Sequence, residues 1–173
     1  MMRTAMRVVL IGAALTVGAC ETGRGHYQGP PREREAEARP VQPGRETELQ
    51  IERAMDRYSS MLATMDADGI AAMYTPDGVM ERQSGPPLRG REEIRSFLAS
   101  PANANNVRVL SNRMTTNSLA YNGPEVLQRG EFEQSVRVNG KTVNAAGKFE
   151  ATWVKGPRGA WYISRMATKA NRN

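Results

Sequence analysis

From Glu46 to Asp66 the apolar residues Ile51, Met55, Tyr58, Met61, Leu62 and Met65 recur at spacings of three and four, with Glu48, Glu52, Arg53, Asp56 and Arg57 mostly on the other side. That period predicts a long amphipathic helix with one buried face. Asp68 is placed to cap a short second helix that buries Ile70, Met73 and Tyr74, and Thr75-Pro76-Asp77-Gly78 reads as the turn that ends it. Val79 and Met80 then start a strand. After the loop Gly85-Pro86-Pro87, the run Arg91 to Leu98 places Ile94, Phe97 and Leu98 on one face, with carboxylates in the first turn where the helix dipole favours them.

The pattern changes to strands beyond Val107. Val107 to Leu110 and Arg113 to Tyr121 carry β-branched and apolar residues, and Asn122-Gly123-Pro124 reads as a turn. Glu125 to Val138 alternates: Val126, Gln128, Gly130, Phe132, Gln134, Val136 and Val138 share one face, and Arg129, Glu131, Glu133 and Arg137 the other. Asn139-Gly140 is a two-residue hairpin signal, after which Thr142 to Val154 returns with Phe149, Ala151 and Trp153 together. Lys155 to Gly159 turns again into a last strand, Trp161 to Met166. Helices first and an antiparallel meander afterwards define the α+β class.

The first 45 residues are of another kind. Arg3 and Arg7 precede an apolar run, Val8 to Val17, of about ten residues, the length of a signal-peptide core and too short to span a bilayer. It ends in Val17-Gly18-Ala19-Cys20, which resembles the lipobox of bacterial lipoproteins. The resemblance implies removal of residues 1–19 as a signal peptide and lipidation of Cys20, the only cysteine of the chain. Several acyl chains together hold a protein on a bilayer where one would not. Glu21 stands where an aspartate would resemble an inner-membrane retention signal, so the expected address is the cell envelope, on the periplasmic side, with the outer membrane favoured. Residues 20–45 are rich in Gly, Pro, Arg and Glu; they bury too little to offset the entropy of ordering and read as a disordered tether. The single histidine, His26, lies in it without a second ligand nearby.

Residues 46–173, about 125 in number, suit one domain with a single core. Seven of the 24 basic residues and four of the 18 acidic ones precede Glu46, leaving 17 against 14. These charges are scattered, without the basic run or aromatic-basic interleave of a nucleic-acid surface, and a nucleic-acid partner is not expected.

The long first helix, the AAMYTPDGVM stretch, the GREEIRSFL helix and the strands ending in FEATWV and AWYISRM together resemble the cone-shaped fold of nuclear transport factor two and of the SnoaL-like and ketosteroid-isomerase-like domains. The resemblance covers about residues 48 to 168. It implies a strongly curved antiparallel sheet wrapped around the first helix, enclosing a pocket used in different members for catalysis, ligand binding or association. Dimers are common in that family, which makes a homodimer one expected assembly.

The chemistry open to such a pocket is narrow. No histidine or cysteine lies beyond Glu46, which removes a thiol nucleophile, a histidine base and a His-ligated metal from the domain. No cofactor and no metal is expected. The candidate lining is Met55, Tyr58, Tyr74, Met80, Met114 and Trp153, a soft methionine-rich surface. Isomerases of the family need a carboxylate raised in pKa by an apolar wall, the ketosteroid isomerase arrangement being a standard worked case. Asp77 and Glu131 or Glu133 are the carboxylate candidates, with Tyr58 and Tyr74 beside them, although a turn former, solvated or paired strand residues and core tyrosines account for them more readily. Three functions remain open: binding of a small apolar ligand by a lipid-anchored protein, an isomerase or cyclase using a pocket carboxylate, and an assembly lipoprotein using its sheet face as an interface.

Overall fold

The computed structural model describes residues 41–100 and 107–171. The signal peptide, Cys20, His26 and the tether up to residue 40 lie outside the described residues. Helix α1 (Arg45–Thr64) buries Ile51, Ala54, Met55 and Tyr58 along one stripe. It stops at Met65, whose φ of 54° is left-handed and whose backbone N–H returns to Leu62 O. Contact with the fold begins before the helix: Pro43 is buried, and the N–H of Tyr121 donates to Val41 O at 2.8 Å. Folded contacts thus start a few residues ahead of the boundary that composition suggests.

Helix α2 (Ala67–Ala72) is capped by Asp66, not by the expected Asp68; the Asp66 carboxylate accepts from Gly69 N at 2.9 Å. Asp68 lies two residues on, in the first turn, and pairs with Arg95 at 3.0 Å. Strand β1 (Tyr74–Met80) runs through the Thr75-Pro76-Asp77-Gly78 segment expected to be a turn. Its pairing with the last strand jumps from Tyr74↔Ile163 to Val79↔Arg165, so the proline and aspartate sit in an exposed bulge. A bulge tolerates a residue without an N–H, and the strand resumes beyond it.

A two-residue strand, β2 (Leu88–Arg89), leads into helix α3 (Gly90–Leu98). Ile94 and Leu98 are buried beneath it, and Glu93 reaches back to accept from Arg89 N at 2.6 Å. That carboxylate satisfies a donor the helix start leaves open.

Strand β3 (Val107–Asn122) is one long element rather than two, kinked by irregularities between Val109 and Ser111 and between Thr116 and Ser118. It pairs antiparallel with β4 (Glu125–Val138), β4 with β5 (Lys141–Lys155), and β5 with β6 (Trp161–Ala170). The hairpin between β4 and β5 turns at Asn139 and Gly140, both at positive φ, the signature of the two-residue turn. The six-stranded sheet has the order β2-β1-β6-β5-β4-β3, with only β1 and β6 parallel.

Alternation along β4 is observed as expected, with Val126, Gln128, Gly130, Phe132, Val136 and Val138 all buried. Gly130 lies opposite Phe149, whose ring occupies the space where a Cβ would stand. A glycine covered by a cross-strand aromatic lets the sheet curl towards the helices while keeping the inner face sealed. The core is continuous from α1 to the inner sheet face through Ile51, Met55, Tyr58, Tyr74, Trp153 and Ile163.

Candidate functional site

The inner face of the sheet is an apolar wall interrupted by a few neutral polar groups. At its centre is Gln128, the only buried polar side chain among the described residues, with no exposed surface. Its Oε1 accepts the indole N–H of Trp153 at 2.8 Å, and its Nε2 donates to Thr116 Oγ1 at 2.7 Å. Three neighbouring strands, β3, β4 and β5, therefore meet in one chain of hydrogen bonds. A buried amide left unpaired would be costly, and this pairing fixes the side chain in one orientation.

A second polar pair lies where α1 meets β1. The hydroxyls of Tyr58 and Tyr74 are 3.2 Å apart and their rings meet edge to face, 6.3 Å between centroids. Burial pushes the Tyr58 phenol up to about 12, partly countered by its hydrogen bond to Tyr74. Burial likewise raises Tyr74 well above the ordinary phenol value, helped by the neighbouring charge and hydrogen bond of Tyr58. Both are neutral hydroxyls over the physiological range. A pair of hydroxyls uses one proton between them, which leaves the second proton outside the pair.

Towards the other end of the wall, Asn112 of β3 donates from Nδ2 to Ser59 Oγ on α1 at 2.8 Å, and Gln134 of β4 donates to Asn112 Oδ1 at 3.4 Å. Met114 stands opposite Phe132 in the next row of the sheet. Met114 is half-buried, as is Leu62, and both pack against the core cluster.

Four of the expected lining residues, Met55, Tyr58, Tyr74 and Trp153, are brought together in the core, each no more than 3 % exposed. Met80 is equally buried but pairs in the sheet with Leu88 and Met166, at the far edge from β3. Only Met114 of the six keeps substantial surface. The carboxylate candidates are not in the interior: Asp77 is exposed on the β1 bulge, and Glu131 and Glu133 are exposed on the outward face of β4. Alternation forces the second result, since Gly130 and Phe132 on either side of Glu131 face the core. Every Asp and Glu from Glu46 onward is among the described residues, and none is buried. Among the described residues no group of three or more His, Cys, Asp or Glu could hold a metal.

Gln128 was visible in the sequence as a polar residue in an otherwise apolar alternating row. Its role was not, because its partners are 12 and 25 residues away. Nothing local marked Thr116 or Gln50, which binds the Trp161 indole across 111 residues.

The model of the SnoaL-like domain matches residues 45–167. The chain belongs to the SnoaL-like domain family. This family often binds small hydrophobic ligands or acts as isomerase or cyclase. Among solved structures, a ketosteroid isomerase-like protein from Erwinia carotovora atroseptica superposes with a TM-score of 0.66 at 20% identity, covering 75% of this chain and 100% of that one. A conserved protein from Planctomyces limnophilus gives 0.65 at 20% identity, covering 73% and 97%. ActVI-ORFA from Streptomyces coelicolor gives 0.63 at 14% identity, covering 73% and 98%. At these identities the likeness shows the fold alone: a curved six-stranded sheet with three helices, the longest of them first. No curated protein matches the chain in sequence. No helix among the described residues is long and apolar enough to cross a membrane.

Proposed function

We propose that the protein is a lipid-anchored envelope protein whose cone binds a small, uncharged, largely apolar molecule carrying a hydrogen-bonding oxygen. The observation that carries the binding half is the composition of the inner wall. Its polar groups are the neutral hydroxyls of Tyr58, Tyr74, Thr116 and Ser59 and the amides of Gln128, Gln134 and Asn112, while every carboxylate of the domain lies outside the buried interior. Such a wall has no charge to offer an ionic ligand and suits an apolar one oriented by one or two hydrogen bonds. The half-buried row of Met114 and its neighbours on β3 and β4 is where the ligand rests, with methionine adapting to its shape.

An isomerase or cyclase of the carboxylate type would need an acid inside the cone, and Asp77 and Glu131 point elsewhere. An assembly role for the outer sheet face draws no specific support, since that face carries exposed charges such as the Arg129–Glu150 pair at 2.8 Å. The anchoring half rests on Arg3, Arg7, the apolar run Val8 to Val17 and Cys20.

Two measurements test the halves separately. Metabolic labelling with a tagged fatty acid marks the wild type and not Cys20→Ser; equal labelling of both removes the anchor. Equilibrium dialysis against 2-naphthol, a flat apolar molecule with one hydroxyl, shows saturable uptake by the wild type. Met114→Trp fills the wall and abolishes that uptake; retention of full uptake by the variant places binding elsewhere.

A further inference from the structure

Outside the cone, α1 and the β5–β6 hairpin enclose a separate cleft of about 220 Å³. Arg53 and Arg57 line one side, Gly159 and Trp161 the other. Both arginines are exposed, and neither forms an ion pair among the described residues. At a spacing of four they are neighbours on one helix face, where like charges destabilise a helix by a few tenths of a kcal/mol. The fold gains nothing visible from that arrangement. A third cation, Lys155, does not line the cleft but adjoins two residues that do: its ammonium lies 5.6 Å from the centre of the Trp161 ring, and its stem runs close to Gly159.

The cleft also has a fixed wall. Trp161 Nε1 donates to Gln50 Oε1 at 2.9 Å, and Gln50 Nε2 donates to Glu46 Oε1 at 3.1 Å. Gln50 is thereby held between the indole and the one carboxylate on this stripe of α1, one turn closer to the helix start. No acid is among the residues lining the cleft. Two guanidiniums lining a cleft that has no acid in its wall, with an ammonium beside that wall at Trp161, suit an anion, and the planar forks of arginine match the oxygens of a phosphate group bidentately. The charge of the three cations favours a dianion over a monoanion.

We propose that the cleft between α1 and the β5–β6 hairpin binds a phosphate monoester through Arg53 and Arg57, with Lys155 as the third cation. The site is independent of the cone and of the ligand proposed there. The phosphate group belongs either to a free metabolite or to a lipid headgroup, and the test separates these sources.

The full-length protein in detergent is titrated calorimetrically with glycerol 3-phosphate, and its tryptophan emission is followed in micelles doped with phosphatidate or, as control, with phosphatidylcholine. Glycerol 3-phosphate binding to the wild type identifies a site open to free phosphate esters. A response to phosphatidate alone, uncompeted by glycerol 3-phosphate, identifies a headgroup site. Either response weakens by about tenfold or more in Arg53→Gln/Arg57→Gln, as loss of two charge-assisted contacts requires, and recovers in part in Arg53→Lys/Arg57→Lys. The Gln variant keeps the melting temperature of the wild type, because neither arginine forms an ion pair among the described residues. Binding unchanged in the Gln variant, acetate binding as tightly as glycerol 3-phosphate, or no response to either phosphate probe overturns the proposal.

Discussion

Trp153 of β5 and Gln128 of β4 are joined by a hydrogen bond of 2.8 Å between two side chains with no exposed surface. The bond crosses from one strand to the next diagonally, since Trp153 stands opposite Val126 and Gln128 opposite Ala151. One of the two tryptophans of the core is therefore locked to the only buried polar side chain among the described residues. Gln128→Leu leaves the indole N–H without an acceptor and should destabilise the protein by about 1–3 kcal/mol. Adding Trp153→Phe removes that orphaned donor, so the double variant should be more stable than the sum of the single effects. Chemical denaturation of the four proteins measures this; strict additivity would mean that the bond contributes nothing.

Trp161 makes the direct polar contact of the last strand with α1, through Gln50. Truncating either tryptophan to alanine removes a large aromatic from the interior and should cost about 3–5 kcal/mol. Trp161→Phe keeps most of the packing and loses only the hydrogen bond, for which about 1 kcal/mol is expected. Thermal unfolding ranks the three; wild-type melting temperatures for both alanine variants would mean that the inner sheet face is not the core.

The paired phenols give a pH dependence with a definite sign. Tyr58 ionises near 12 in the folded protein and near 10 when unfolded, and Tyr74 is raised in the same direction. Below pH 10 both states hold these protons and the contribution is constant. As pH rises from about 10 through 12 the unfolded chain releases them first, so stability falls over that window. Tyr58→Phe/Tyr74→Phe should flatten this part of the profile, measured by denaturant titration at successive pH values. An unaltered slope in the double variant would show that the pair is not the source.

Gly130 is held beneath Phe149, and an added Cβ would meet both that ring and Thr115 O. Gly130→Ala should therefore destabilise by about 1–3 kcal/mol through overpacking. Paired with Phe149→Leu, which frees space above the strand, part of the loss should be recovered. Equilibrium unfolding of the single and double variants checks it, and a neutral Gly130→Ala would contradict the close packing at the bend.

Much of this fold can be read from periodicity, because each successful element has one wet and one dry face. The inward row of β4, the stripe of α1 and the Ile94/Leu98 face of α3 were visible for that reason, as was the Asn139-Gly140 hairpin, whose backbone needs positive φ. Of strand β1 only the end, Val79 and Met80, reads as strand; Pro76 and Asp77 carry turn chemistry, and only the pairing with β6, far along the chain, shows them to be a bulge. The continuity of β3 was hidden by its polar composition, and β2 is too short to have a period. Long-range partnerships such as Gln128 with Trp153, Trp161 with Gln50, and the meeting of Tyr58 with Tyr74 have no local signal at all. Residue type alone marks Asp77 and Glu131 as candidates, and bulge geometry and alternation carry both to the surface.

The ligand-binding claim is tested most directly by the methyl resonances of methionine in full-length protein labelled with [methyl-13C]methionine, assigned by Met→Leu variants and titrated with 2-naphthol. The account predicts a saturable shift of Met114, the half-buried methionine on the inner wall, while Met55 and Met80 in the packed core stay in place. Met114 unmoved at concentrations where dialysis shows uptake would place the ligand outside the cone and contradict the account.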